Sequence, residues 1–216
     1  MAKVSNPLIG ATSGSVGGVT FSKWKGIDVI KTKPTVVANP NTDKQKSQRL
    51  SFAMIIMIYR VLVAIVNLGF KQLAISQSAY NAFTQANLKT AFDKSVPGVT
   101  TFQPELFLIS KGTMSDTVIS SVTVDESDVN CVVTFPMTFA LPGQSATDKP
   151  LVAVYNITKD DWASGVGTGE RSTGTATIAI PAAWEEADLT RVYLGFVNAD
   201  GSEASDSKNM AATIAA

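Results

Sequence analysis

The spacing of hydrophobic positions changes twice along the chain. Near the start it is two: Val19 and Phe21 alternate with Thr20 and Ser22, and a second β-prone run, Ile27 to Thr32, follows Lys25-Gly26. Two short runs around a glycine-containing turn predict a β-hairpin. Lys33-Pro34 ends it, and Asn39-Pro40-Asn41-Thr42 reads as a loop, with Thr42 as helix N-cap and Gln45 in the third helical position of a capping box. From Leu50 to Phe70 the chain is apolar on every side, with Arg60 as its single charge. Residues 71–95 predict more helix: Ala79, Phe83, Ala86, Leu88, Ala91 and Phe92 form a stripe at spacings of three and four between Gln77, Asn81, Gln85, Asn87 and Lys94.

After Gly98 the period returns to two. Residues 118–124, 129–135, 151–156, 174–180 and 191–198 are strand candidates, with 105–110 and 210–214 as weaker ones. Turn signals separate them at residues 125–128, Pro142-Gly143, residues 165–169 and Asp200-Gly201. Several short strands at this spacing predict an antiparallel sandwich of immunoglobulin-like size, without the Cys…Trp…Cys pattern of antibody domains. The expected fold class is therefore α+β: an N-terminal arm and β-hairpin, two helices, then a C-terminal antiparallel immunoglobulin-like β-sandwich.

Charge adds a division to this picture. The 216 residues carry 18 Lys+Arg and 18 Asp+Glu. Cut at Gly98, the zero becomes +9 for residues 1–98 and −9 for residues 99–216. Composition shifts at the same point, from Ala/Gln/Ile/Leu-rich to Thr/Val/Ser/Asp-rich, so a domain boundary is expected at Val96-Pro97-Gly98. Zero net charge leaves little self-repulsion between copies, and opposite ends let head meet tail. A pI near 6.3 gives no global reason to expect nucleic acid as the main partner.

Candidate chemistry is thin. There is no histidine and one cysteine, which excludes a His-containing triad, a His general base, a Cys/His zinc site and an internal disulfide. Cys131 falls on the apolar side of an alternating strand and reads as an inert buried thiol. The acidic groups Asp125/Glu126/Asp128, Asp160/Asp161 and Glu185/Glu186/Asp188 sit in expected turns, where solvated acids are common. Asn198-Ala-Asp-Gly-Ser has its glycine two places too early for a calcium loop. Gly165-x-Gly167-x-Gly169 lacks a strand-to-helix context, and Gly10, Gly14, Gly17 and Gly18 are not followed by Lys-Ser/Thr. No catalytic residue, metal site or cofactor is expected, and the chain is read as a non-enzyme. Residues 1–18 carry no apolar core of a secretory signal.

Two features remain. Leu50–Phe70 spans about 31 Å as a helix, enough to cross a bilayer, but Arg60 would then sit near the midplane. It can instead be buried by its own fold or by copies of itself, which makes Phe52, Ile55, Ile56, Tyr59, Val63 and Val66 candidate oligomer contacts. The basic residues Lys23, Lys25, Lys31, Lys33 and Arg49, with Trp24, admit three readings. They could hold a nucleic-acid backbone with a stacked base, solvate and protect an edge strand, or dock on the acidic half of a neighbouring copy.

The run Asn6-Pro-Leu-Ile-Gly10 … Gly14-Ser-Val-Gly-Gly-Val-Thr-Phe-Ser-Lys-Trp-Lys-Gly26 … Val29-Ile-Lys-Thr-Lys-Pro34 … Asn39-Pro-Asn-Thr … Gln45 … Gln48-Arg49 … Phe52 resembles the opening of an uncharacterised protein family of Bacteroidota and their phages. Ala79-Tyr-Asn-Ala-Phe, Leu108-Ile-Ser-Lys-Gly112 and the ending Val192-Tyr-Leu-Gly-Phe … Asp200-Gly … Ser205-Asp-Ser207 extend the resemblance over nearly the whole chain. Similar openings occur in proteins that look like phage structural components. The resemblance implies an assembly role: a virion component, made in the host cytoplasm, forming a ring, tube or shell with itself and other structural proteins. A cell-surface or secreted binding module is the alternative.

Overall fold

The computed structural model describes residues 2–3 (backbone), 13–36, 39–125, 129–137 and 140–215. Gly10 of the glycine-rich start, and Glu126 and Asp128 of the first acidic group, lie outside these residues. Contacts divide the chain into two compact units, Met1–Asn41 and Thr42–Ala216. The change of composition at Gly98, where a boundary was expected, falls inside the second unit.

The first unit is an antiparallel sheet in the order β1 (Ala2–Lys3), β4 (Ile27–Thr32), β3 (Val19–Trp24), β2 (Gly14–Val16). The expected hairpin is β3–β4, in register from Val19 opposite Thr32 to Trp24 opposite Ile27. Its two turn residues have positive φ, Lys25 at 48° and Gly26 at 81°. A two-residue hairpin turn of the primed type demands that backbone. Glycine adopts it freely; lysine does so at a cost of about 1 kcal/mol. Val29 is the one buried hydrophobic residue among those described in this sheet, whereas Val16 and Trp24 stand in solvent.

The second unit begins with α1 (Asp43–Gly69). Thr42 caps it through the expected box: its side chain accepts from the Gln45 N–H, and the Gln45 side chain accepts from the Thr42 N–H. The inner stripe of α1 runs Ser47, Ser51, Ile55, Ile58, Leu62, Ile65, Val66, Gly69. The chain then leaves the helix at Phe70, makes one 3-10 turn over Lys71–Leu73, and re-enters helix only at α2 (Ala79–Asn87). Helix over the whole of residues 71–95 is thus corrected to nine residues of α2. Ser78 caps its start by accepting from the Asn81 N–H. At its end buried Asn87 donates to the Phe83 and Leu108 carbonyls and accepts from the Leu108 N–H, tying the helix to the next extended segment.

A short ribbon follows, β5 (Phe92–Asp93) with β6 (Thr101–Phe102). Residues 105–110, a weak strand candidate, form a 3-10 turn over Pro104–Leu106 and an unpaired extended run. The remaining strands are β7 (Ser121–Asp125), β8 (Asn130–Thr134), β9 (Lys149–Asn156), β10 (Asp161–Val166), β11 (Thr175–Ala179), β12 (Leu189–Val197) and β13 (Lys208–Ala215). Their order is β10-β9-β12-β13-β7-β8-β11. β13 is the corner: it pairs antiparallel with β12 and then, through Ile214 and Ala215, parallel with β7. The order therefore folds into a front sheet, β10-β9-β12-β13, and a back sheet, β7-β8-β11, the two faces of an immunoglobulin-like sandwich. The α+β architecture is as expected from the sequence, with β10 added.

Side-chain parity decides the layers. On β9, Val152 and Val154 face the back sheet with Val192, Leu194 and Phe196 of β12, meeting Val124, Cys131, Val133, Ala176 and Ile178. Leu151, Ala153 and Tyr155, with Tyr193, face the other way, onto Ile55, Leu62, Val66, Phe83, Phe107 and Ile109. The two central strands of the front sheet, β9 and β12, are buried on both faces over most of their length, which is why they read as unbroken apolar runs. Ser110 threads between the front sheet and α1 because two glycines let it: a Cβ on Gly69 would lie 2.6 Å from the Ser110 Cβ, and one on Gly195 would lie 2.1 Å from its Oγ. Cys131 is buried and inert, its thiol pushed up to about 12 by burial.

Among the described residues one charged pair is wholly inside. Arg171 Nε donates to Asp148 Oδ2 at 2.9 Å, with both side chains fully buried. The guanidinium also lies 3.8 Å from the Phe196 ring centre and donates to Thr117 Oγ1. Burial pulls the arginine pKa down while Asp148 holds it up.

Candidate interaction surface

α1 has a second face. Leu50, Phe52, Ile56, Met57, Val61 and Val63 are all exposed, Met57 at 65% and Val61 at 48%. They fall outside the inner stripe in two rows, Phe52, Ile56 and Val63 on one side and Leu50, Met57 and Val61 on the other, with Arg49, Arg60 and Asn67 between them. The expected contact set divides accordingly. Phe52, Ile56 and Val63 are on the open face; Ile55 and Val66 are fully buried in the core of their own chain. Tyr59 lies between, half-buried, with its ring 4.8 Å from Tyr80 and 6.0 Å from Phe83. Ile55 and Val66 are thereby corrected from contact residues to core residues. A helix apolar all round gives no contrast by which sequence could tell its two faces apart. By length and composition α1 is also able to cross a membrane.

Along one edge of this face α1 and β10 bound a groove of about 570 Å³. Met54, Met57, Ile58 and Val61 form one wall, Phe102, Tyr155 and Trp162 the floor, and Ile157, Asp160 and Asp161 the other rim. The floor is an aromatic stack: Tyr155 and Trp162 are 4.6 Å apart, and Trp162 and Tyr193 are 5.7 Å apart. Ser164 ties β10 to the helix by donating to the Val61 carbonyl. At the rim Asp160 accepts from the Tyr155 hydroxyl at 2.7 Å, and Asp161 accepts from the Trp162 N–H and the Trp184 indole N–H. Burial, then the carboxylate of Asp160, pushes the Tyr155 phenol up and keeps it protonated. No Lys or Arg among the described residues pairs with either carboxylate. The groove thus offers an apolar floor and an acidic rim, suited to an apolar group with a cation beside it.

The basic set is placed as follows. In the first unit Lys23, Trp24, Lys25, Lys31 and Lys33 are exposed. Strand parity puts Lys23 on one face and Trp24 and Lys31 on the other, so they do not form one patch. At the hairpin tip, however, Lys25 Nζ stands 5.3 Å from the ring centre of Trp24, which is 62% exposed. Arg49 belongs to α1 in the second unit. Of the acidic groups, Asp188 is buried and accepts from the Asn156 amide and the Glu185 N–H. Gly165 is inside β10 and Gly167 is buried, rather than both lying in an open loop. No group of three or more possible metal ligands occurs among the described residues.

Sequence reasoning missed Trp162 as the floor of a site. The signal was the Asp160-Asp161-Trp162 run after a strand, but Trp162-Ala-Ser-Gly-Val166 has too little apolar–polar contrast to register as a strand.

Among solved structures, the FN1–FN3 domains of chicken CNTN1 are similar over 55% of this chain and 37% of that one, at 12% identity and a TM-score of 0.35. A family 76 glycoside hydrolase from a bovine Bacteroides thetaiotaomicron strain is similar over 46% of this chain and 20% of its own, at 14% identity and a TM-score of 0.32. The fibronectin type-III domain of human fibronectin type III domain containing protein 3 is similar over 49% of this chain and 87% of its own, at 8% identity and a TM-score of 0.31. No curated protein matches the chain. The model of a family of unknown function, DUF6266, matches residues 11–211, and the chain belongs to that family.

Proposed function

We propose that the protein is a non-enzymatic structural subunit that assembles with copies of itself. The open face of α1 carries this reading. Monomeric soluble proteins rarely leave a large apolar surface open unless something binds there, and Leu50, Phe52, Ile56, Met57, Val61 and Val63 are six large apolar side chains exposed on one helix. The separation of charge supports it: +4 on Met1–Asn41 and −4 on Thr42–Ala216 allow copies to attract. The finer part of the proposal, a bacteriophage particle as the place of assembly, draws on the resemblance of the opening motif to phage structural components.

Light scattering and electron microscopy of the purified protein at micromolar concentration test it. The expected result is a defined multi-copy species that Ile56→Lys shifts to monomer without lowering the melting temperature. A monomer at tens of micromolar overturns it. A second reading, a cell-surface or secreted binding module, draws on the aromatic floor and acidic rim of the groove; recovery of the protein in washed outer-membrane fractions would favour it.

A further inference from the structure

The hairpin tip and the groove are complementary in three respects. The tip offers one large aromatic side chain in solvent, and the groove offers about 570 Å³ over an aromatic floor. A tryptophan buries about 150–250 Å² when it enters such a site. Lys25 stands beside the tryptophan, while Asp160 and Asp161 rim the groove, and none of the three makes an ion pair among the described residues. Finally, the turn places lysine at positive φ, where glycine, asparagine or aspartate would be easier, and so holds a cation beside the ring.

We infer that the Trp24–Lys25 tip of one copy seats in the α1–β10 groove of a second copy. The inference rests on the self-assembly proposed above and names the contact that links neighbours. Trp24 enters between Met57 and Trp162, and Lys25 meets the Asp160/Asp161 rim. Because tip and groove are different surfaces, the contact is head-to-tail: it closes into a ring or runs on into a tube according to the rotation per copy. The ion pairs are at the rim, so added salt weakens the contact several-fold without abolishing it.

The test mixes two single-cysteine-addition variants of the full chain, Lys25→Cys and Ile157→Cys, the second on the rim that Lys25 meets, under mild oxidation. Both positions are exposed, and Cys131 is buried and stays out of the exchange. The expected product is a disulfide-linked heterodimer. Adding Trp24→Ala to the Lys25→Cys chain should cut its yield about tenfold or more, as for an aromatic hot spot. If light scattering shows assembly but no heterodimer forms, the tip-in-groove contact is wrong and the assembly reading stands. If the protein is monomeric throughout, both fail. If the Lys25→Cys/Ile157→Cys double variant cross-links within one chain at a rate independent of concentration, the second copy is the wrong partner.

Discussion

The two sheets that flank the helices in sequence are built on opposite principles. The front sheet of the sandwich buries both faces of its central strands: β9 is buried from Pro150 to Asn156, and Tyr155, Trp162 and Tyr193 stack on its outer side. The N-terminal sheet has Val29 as its one buried hydrophobic residue among those described and leaves Trp24 in solvent. Its shape is set by turns: Gly17-Gly18 joins β2 to β3 and Lys25-Gly26 joins β3 to β4. A sheet held by packing resists removal of its hydrogen-bonding partners. One held by turns and cross-strand pairs has little core of its own and is stabilised by whatever covers it.

This contrast can be broken most sharply inside the sandwich. Asp148→Ala leaves the Arg171 guanidinium buried without its carboxylate. It should cost about 3–5 kcal/mol, read in urea or thermal melts, and a loss below about 1 kcal/mol would mean that solvent reaches the pair. Next is the crossing of helix and sheet. Gly69→Ala pushes a methyl against Ser110 and should cost about 1–3 kcal/mol, or several degrees in melting temperature.

A smaller effect concerns acid. Hydrogen bonds from the Asn156 side chain, then the Glu185 N–H, and the charge of Lys159 hold the Asp188 carboxyl below its ordinary range. A lowered folded-state value means stability that is present above about pH 4, the unfolded value, and is lost as pH falls through the folded one. Melting curves between pH 5 and pH 2.5 should therefore shift downward, and Asp188→Asn should make that shift smaller. The least effect is expected at the hairpin tip. Trp24→Ala, in dilute protein, should leave the unfolding free energy, read from urea melts, within about 0.5 kcal/mol of the parent; a larger fall would place Trp24 in a core and erase the contrast.

The legible parts of the fold were those with local chemistry. Lys25-Gly26 marked the hairpin, and Thr42 with Gln45 marked the start of α1 to the residue. The unbroken runs of β9 and β12 were found as strands, although being buried on both faces was not read from them. What escaped depended on distant partners. β10 is an edge strand whose Trp162 acquires its role only when Phe102, Tyr155 and Tyr193 meet it. The helix break after Leu73 has no proline to announce it. The composition change at Gly98 recorded a switch from helix to strand and was mistaken for a limit of compactness. For the candidate site, sequence named the helix and the acidic pair but could not join them, because α1 meets β10 across about a hundred residues of chain, as Ser164 bonded to Val61 shows.

The doubly covered front sheet has one more consequence, for modularity. Sandwich domains are commonly exchanged between proteins as free-standing beads. Here the bead cannot be cut from the string: released from α1 and α2, residues 99–216 would present Leu151, Ala153, Tyr155, Trp162 and Tyr193 to water. Inheritance, truncation and fusion must therefore keep residues 99–216 together with α1 and α2, and the seam that the contacts leave for recombination is the one at Asn41–Thr42.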